Sequence, residues 1–450
     1  MRLFGTNGIR GRVGEDFTPE FLTRIGLAIG SYLPRSANVI LGTDTRISGD
    51  MVKFAVISGL LASGVNVVDI GIAPTPAIQL YTREHGDFGI AITASHNPPE
   101  FNGVKCIAGD GTELPREEEE KIEEIFFSEK FRIVNWENVG NYTKGGDARE
   151  EYIRSILQRI DVESIKNKNF KVVLDCANGA SCFTSPYLLE TLGCKVITLN
   201  CQPDGRFPGH ESEPKPENLR DLVSMVKATG ADLGIAHDGD ADRAIFVDDR
   251  GRYLYGDKTL TLVAEYVVRN KSGIVVTPVS SSLSLEEVVK KHGGRVVYTR
   301  VGAPIVARKM IEVKAIFGGE ENGGLIFPEH LVARDGAMAL AKVLEILAKS
   351  GKKLSQLIDS LPQYYQKKIS VRCANEKKER VLNILKEKLK GERINTIDGV
   401  KIMGESWWVL IRPSGTEPIY RIYAEAKSEE ELNTIVERYK KILEDAVREA

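Results

Sequence analysis

Short apolar runs alternate along most of the chain with stretches whose apolar residues recur at helical spacing. That pattern predicts sheets covered by helices. Near the start, Thr18-Pro19-Glu20 offers a hydroxyl cap and a proline in the first helical turn, and Phe21, Ile25, Ala28, Ile29 and Tyr32 then share one face. A strand over 39–41, a helix over 51–63 stopped by Gly64 and a strand over 65–70 follow. The run 88–93 reads as a buried strand that Asn97-Pro98-Pro99 prevents from continuing. The acidic run 116–124 reads as the solvated face of a helix.

A second series starts near residue 150, with a helix over 152–160, strands over 171–174 and 195–199, a Pro-rich loop over 203–216 and a helix over 217–229. Two apolar strands, 233–236 and 244–247, then flank an acidic loop. A third series follows the turn at Asp248-Asp249-Arg250-Gly251. It has strands over 273–277, 295–299 and 315–317 and helices over 258–269, 284–291, 304–311 and 335–348. A boundary is expected around Leu361-Pro362. Beyond it the layout changes to strand, helix, further strands and a last helix capped by Ser428 with Glu431 three residues on. The segments are 1–149, 150–249, 250–363 and 364–450. No self-similar repeat is evident, yet each segment puts one polar loop at the end of an apolar strand, where open α/β sheets bind ligands. A single cleft built by all four is the expectation.

Composition narrows the class. At 450 residues the chain is too long for one core, and about 150 residues per domain gives three or four. Apolar residues at 42% and charged ones at 28% suit a globular protein. Lys plus Arg (61) against Asp plus Glu (63) leave a formal charge of −2, which offers nucleic acid or an anionic membrane no bulk attraction. No apolar run approaches the roughly 20 residues of a membrane span, and Met1-Arg2-Leu3-Phe4-Gly5-Thr6 lacks a signal peptide's apolar core, so the cytoplasm is the expected location. Six cysteines without a Cys-x-x-Cys pair read as free thiols, and six histidines show no metal-binding spacing.

The loops carry the candidate chemistry. Ser95, beside His96, stands on a rigid turn, where a hydroxyl either bonds nearby backbone or acts as a nucleophile. Asp238, Asp240 and Asp242 alternate between two apolar strands, where three like charges repel unless a cation joins them. A hard, oxygen-preferring ion such as Mg²⁺ suits them. A calcium hand would need Gly and Glu where Arg243 and Asp249 stand, and a metal-free acidic turn is the remaining alternative. Arg412-Pro413-Ser414-Gly415-Thr416, with Arg421 nearby, has the parts of a phosphate cradle. Glu320, in a Gly-flanked loop, could accept bonds from sugar hydroxyls. Together these parts make a kit for phosphoryl transfer. No Gly-x-x-x-x-Gly-Lys-Ser/Thr loop or kinase catalytic loop is present, so a nucleotide is not implied.

On four signatures the chain resembles the α-D-phosphohexomutases from end to end: Thr93-Ala94-Ser95-His96-Asn97-Pro98, Asp238-Gly239-Asp240-Ala241-Asp242-Arg243, Gly319-Glu320-Glu321-Asn322-Gly323 and Arg412-Pro413-Ser414-Gly415-Thr416-Glu417-Pro418. The opening Phe4-Gly5-Thr6-Asn7-Gly8-Ile9-Arg10-Gly11 looks like the phosphoglucosamine mutase branch. Gly318-Gly319-Glu320-Glu321-Asn322-Gly323-Gly324 looks like archaeal phosphomannomutase/phosphoglucomutase members.

The resemblance implies an α/β protein of four domains around a central cleft, three with mixed sheets and a smaller C-terminal α+β domain. It implies a phosphoryl group on Ser95 and one Mg²⁺ held by that group with Asp238, Asp240 and Asp242. The reaction would interconvert hexose 1- and 6-phosphates through a 1,6-bisphosphate, which also serves as activator. Arg10, Lys105, Arg243 and His96 would surround the transferring group, with Lys105 as general acid/base. Glu320, Asn322 and the turn at Gly302 would contact the sugar, and Arg412, Ser414, Gly415, Thr416 and Arg421 the phosphate that is not being transferred.

Many relatives carry His where this chain has Gly324 and Ser where it has Asn322, which moves the proton shuttle to Lys105 and leaves glucose, mannose and glucosamine phosphates all open. The expected partners are small hexose phosphates, with neither nucleic acid nor membrane, and the oligomeric state stays open. The alternatives are a sugar-phosphate phosphatase using the same serine and metal, and a non-catalytic sensor that would have lost Ser95 or an aspartate.

Overall fold

A computed structural model describes residues 2–5, 7–414 and 417–450. Three successive sheets share one connectivity. In the first, Asn38–Thr43 is central, Asn66–Ile72 lies parallel on one side and Phe88–Ile92 parallel on the other. Phe101–Ala108 then returns antiparallel to Phe88–Ile92, and Ile9–Arg12 pairs on its outer side. The second sheet repeats this plan with Lys171–Asp175, Lys195–Leu199, Leu233–His237 and antiparallel Ala244–Asp248. The third does so with Ile274–Pro278, Arg295–Thr299, Phe317–Gly319 and antiparallel Leu325–Phe327. Each time, the loop between the third strand and the antiparallel return is one of the polar loops picked out in the sequence. The repeat escapes the eye in sequence because a strand of this plan needs only apolar residues, in any order.

The fourth sheet is antiparallel throughout, ordered Tyr365–Arg372, Ile419–Ala426, Trp407–Pro413, Val400–Met403, Ile394–Asn395, with helices Lys378–Lys388 and Glu429–Glu449 forming its own apolar core. The first three sheets instead share a core. Ile40, Tyr152, Leu174, Phe246, Phe317 and Leu344 belong to one buried cluster. At its centre lies the helix Gly336–Ser350, whose residues are buried from Gly336 to Ala348. A helix apolar on every face must be surrounded. Its two buried charges, Lys342 and Glu345, meet at 3.0 Å.

Two local expectations are corrected, and one helix is added. Glu123, in the helix Arg116–Ser128, is not solvated: it is buried and accepts from the backbone N–H groups of Leu3 and Phe4 at 2.7 and 2.8 Å. The Ser428 cap forms, accepting from Glu431 N at 3.2 Å, while the Glu431 carboxylate turns to Ser406 instead of closing a capping box. The helix Thr75–His85 has no counterpart in the sequence reading; Pro76 sits in its first turn, where a proline is tolerated. Among the described residues no helix is long and apolar enough to cross a membrane.

Candidate active site

Ser95, three residues beyond the strand Phe88–Ile92, sits at φ +53°, a left-handed conformation uncommon for a residue with a side chain. The surrounding loop holds it there. Thr93 Oγ1 accepts from Ser95 N at 2.8 Å, and the Thr93 hydroxyl donates to Asp44 at 2.6 Å. The buried Arg46 guanidinium pairs with Asp44 at 3.1 Å and donates to four backbone carbonyls, those of Ser95, Asn97, Pro98 and Phe101, at 2.6–3.0 Å. Ser212, from the Pro-rich loop, donates to the Ser95 carbonyl at 3.4 Å. The serine turn is thereby fixed before any ligand arrives.

The Ser95 hydroxyl donates to Asp238 Oδ2 at 2.8 Å. Asp238, Asp240 and Asp242 are all buried, and one carboxylate oxygen from each lies within 4.8 Å of the others. Lys105 Nζ donates to Asp240 at 2.6 Å and to Asp242 at 3.4 Å, and Thr75 Oγ1 donates to Asp240 at 2.7 Å. Arg243 lies 3.8 Å from both Asp238 and Asp242. Arg10 donates to the Asn97 side chain at 2.5 Å.

Asp240 Oδ1 and Asp242 Oδ1 have no hydrogen-bond partner although both are buried. Burial, then the charges of Asp242 and Asp240, push Asp238 up to about 8. Burial also works against Asp240, but the ammonium of Lys105 and hydrogen bonds from Lys105 and Thr75 hold it well below the usual carboxylate range. Two orphaned oxygens beside a repelled third carboxylate suit a small divalent cation. A metal-free acidic turn, although Lys105, Arg243 and Arg334 offset its charge, would leave these two oxygens without hydrogen-bond partners.

Lys105 keeps its charge: burial disfavours it, but Asp240 and Asp242 more than offset that cost. His96 Nδ1 is 3.4 Å from Ser95 Oγ, and burial with the neighbouring Arg243 and Arg10 charges lowers its pKa to about 2. It is neutral and available as an acceptor, not as an acid.

Glu320, Asn322 and Gly302, the expected sugar contacts, gather next to this centre. Glu320 Oε1 accepts from Gly302 N at 3.1 Å, and Asn322 Nδ2 lies 3.4 Å from Glu320 Oε2. Arg334, which the sequence reading missed, donates to Asp242 at 2.5 Å and to Glu320 at 3.3 Å and so joins the aspartate loop to the Glu320 loop. Where a Cβ on Gly324 would stand, the Arg334 stem already runs, its Cδ 2.2 Å away.

The fourth domain reaches the site through Asp398, in the turn between Ile394–Asn395 and Val400–Met403, which accepts from Val301 N at 3.1 Å and lies 3.4 Å from Arg412. Gly302, Arg412, Asp398, Arg300, Arg308 and Arg116 border a cavity of 930 Å³ between the first, third and fourth domains, ample for a small polar ligand. Ser414 accepts from Glu417 N at 3.2 Å. Arg421 pairs with Glu417 at 2.5 Å and is partly exposed. Gly415 and Thr416 lie outside the described residues.

The missed residues had a signal. Asp44-Thr45-Arg46 follows Asn38–Thr43, the central strand of the first sheet, as the other loops follow theirs. Arg334 likewise ends an apolar strand, Leu331–Arg334.

Comparison with known proteins gives one answer along the whole chain. Phosphoglucomutase/phosphomannomutase α/β/α domains I, II and III match residues 1–133, 150–251 and 255–365, and the C-terminal domain of the same description matches 369–442. A phosphoglucomutase/phosphomannomutase of Thermococcus kodakarensis is 50% identical over 99% of both chains. A phosphoglucosamine/phosphogalactosamine mutase of Sulfurisphaera tokodaii is 42% identical over 98% of this chain and 99% of its own. The crystal structure of a phosphoglucomutase/phosphomannomutase family protein from Burkholderia thailandensis superposes with a TM-score of 0.89 at 29% identity, covering 99% of this chain and 97% of that one.

Proposed function

This chain belongs to the phosphoglucomutase/phosphomannomutase family, and from that premise we propose that it interconverts hexose 1- and 6-phosphates through a phosphoryl group carried on Ser95. The observation that carries the proposal is the Ser95 hydroxyl at 2.8 Å from Asp238, beside the two partnerless oxygens of Asp240 and Asp242. An enzyme of this class is an isomerase that returns as much organic phosphate as it takes.

Asp238, Asp240 and Asp242 would hold one Mg²⁺, which when bound draws negative charge off the transferring oxygens. Everything else is done by the chain's own groups. Arg243 and Arg10, beside the serine loop, neutralise the phosphoryl group. Lys105 Nζ, beside Asp240 and Asp242, relays the proton in both transfers: the attacking hydroxyl gives one up and the departing oxygen, that of Ser95 or of the sugar, takes one. Glu320 and Asn322 orient the sugar through its hydroxyls. Arg412, Ser414, Gly415, Thr416 and Arg421 hold the phosphate not being transferred.

A 1,6-bisphosphate intermediate must turn round between two transfers, so the clamp must accept phosphate from either end of the ligand and then let go. The fourth domain is suited to this, since it has its own apolar core and its apolar contact with the third is a small buried cluster of Val279, Trp408 and Leu410. The same reading has the enzyme act on soluble hexose phosphates in the cytoplasm, with trace hexose 1,6-bisphosphate as activator.

The test is a kcat/KM panel with glucose, mannose and glucosamine 1-phosphates in Mg²⁺ and trace bisphosphate. Formation of the 6-phosphate from at least one sugar supports the proposal. Release of inorganic phosphate without isomerisation would replace it with a phosphatase.

A further inference from the structure

Arg334 occupies a place that no loop signature foretold. Its guanidinium is buried where three domains meet, donating from Nη2 to Asp242 of the metal loop at 2.5 Å and from Nη1 to Glu320 of the sugar loop at 3.3 Å. Glu113 of the first domain lies 3.9 Å from the same Nη2. Each contact leaves the partner's other oxygen untouched: Asp242 Oδ1 keeps no partner, and Glu320 Oε1 takes Gly302 N. A planar fork can span two carboxylates in this way, whereas an ammonium cannot hold both orientations at once. The stem that brings it there passes through the position of a Cβ on residue 324, with Cδ at 2.2 Å and Cγ at 2.9 Å from it. Gly324 is therefore the residue that makes room for Arg334.

We propose that Arg334 is a positioning residue for the transfer: it locks the hydroxyl-gripping Glu320 to the cation-holding Asp242, and residue 324 must be glycine for it to do so. The inference rests on the reaction proposed above and adds a direction that a merely structural arginine would not give. Arg334 is a fixed positive charge against a metal ligand, so it lowers the affinity of the aspartates for a divalent cation while it orders the sugar grip.

The experiment combines Arg334→Met, Arg334→Lys, Gly324→Ala and the double variant Arg334→Met with Gly324→Ala. Isothermal calorimetry with Mn²⁺ alone reads cation affinity, and kcat/KM with the preferred hexose 1-phosphate reads the reaction. Arg334→Met is expected to lower kcat/KM by about 100-fold, as loss of one partner in a buried charge network does, and to tighten Mn²⁺ several-fold. Arg334→Lys recovers part of the activity. Gly324→Ala lowers activity in the parent and adds no further loss once Arg334 is Met.

Unchanged or weaker Mn²⁺ binding in Arg334→Met, parent-like kcat/KM in that variant, or additive losses in the double variant would each overturn the proposal. If Arg334→Met does not fold, Arg334→Gln, which also removes the charge, takes its place in both readings. If the parent chain performs no isomerisation, the reaction assignment falls, and the calorimetry alone still decides the role of Arg334.

Discussion

The hydroxyl of Ser95 and the carboxylate of Asp238 meet at 2.8 Å although 143 residues separate them in the chain. Ser95 stands three residues beyond a strand of the first sheet and Asp238 directly after the matching strand of the second. The contact exists because two copies of one topology are docked with their loop ends facing. Thr75 reinforces it from the first domain, through its hydroxyl to the Asp240 carboxylate at 2.7 Å and its backbone N–H to the Asp240 carbonyl at 2.9 Å.

Asp240 supplies one of the two orphaned oxygens, so Asp240→Asn should remove a cation ligand while leaving a hydrogen-bonding group for Lys105 and Thr75. Turnover at limiting Mg²⁺ should fall by about 100-fold or more. The melting temperature of the parent should rise on adding Mg²⁺, through preferential binding to the folded state, and that of the variant should not. Calorimetric scans with and without Mg²⁺ check both halves.

Arg46 serves four carbonyls and Asp44 with one guanidinium. Arg46→Ala should cost about 3–5 kcal/mol of stability, because it leaves Asp44 buried and unpaired. Arg46→Lys should recover little of this, having no planar fork. Urea unfolding of the two variants measures the difference.

Gly239 follows Asp238, and a Cβ added there would lie 2.6 Å from the Ser95 carbonyl oxygen that Arg46 holds. Gly239→Ala should push the serine turn away from the aspartates. The expected signature is a fall in kcat of at least about tenfold, the scale on which misplaced reacting groups act, with KM little changed. A change confined to KM would show that the turn moves freely.

His210 offers a pH test outside the reaction centre. Its Nε2 lies 3.2 Å from Asp175, which also accepts from Asn200 and from Ala177 N. Burial lowers the His210 pKa, but the hydrogen bond and charge of Asp175 raise it by more, leaving it above the ordinary 6.5. A raised folded-state value means that the folded chain binds more protons than the unfolded one in that window. The contribution is complete below about 6.5 and is lost as pH rises through the folded value. Stability should therefore decline as pH rises past about 6.5 by an amount that His210→Gln removes. Parallel urea titrations across that range, with equal slopes in parent and variant, would count against the pairing.

Much of this was legible in the sequence, and the reasons differ by element. The strand before Ser95 and the pair around Asp238 and Asp242 were visible because a buried strand needs an unbroken apolar run and a breaker must follow it. The central helix was visible as a span, but its burial on every face depends on helices and strands of the second and third segments packing around it. Arg46 and Arg334 were not recognised, because a single arginine after a strand looks the same whether it meets water or a set of buried acceptors. What gives each its meaning is a contact across domains or across a loop, and spacing along one strand does not encode that.

The most direct test is to follow a hexose 1-phosphate by ³¹P NMR with the parent chain, Mg²⁺ and a trace of the matching 1,6-bisphosphate, with Ser95→Ala as the paired sample. The 1-phosphate resonance should give way to the 6-phosphate resonance at constant total organic phosphate, and the Ser95→Ala sample should remain unchanged. Inorganic phosphate accumulating without 6-phosphate, or conversion by Ser95→Ala at the parent's rate, would contradict the assignment of Ser95 as the carrier of the transferred group.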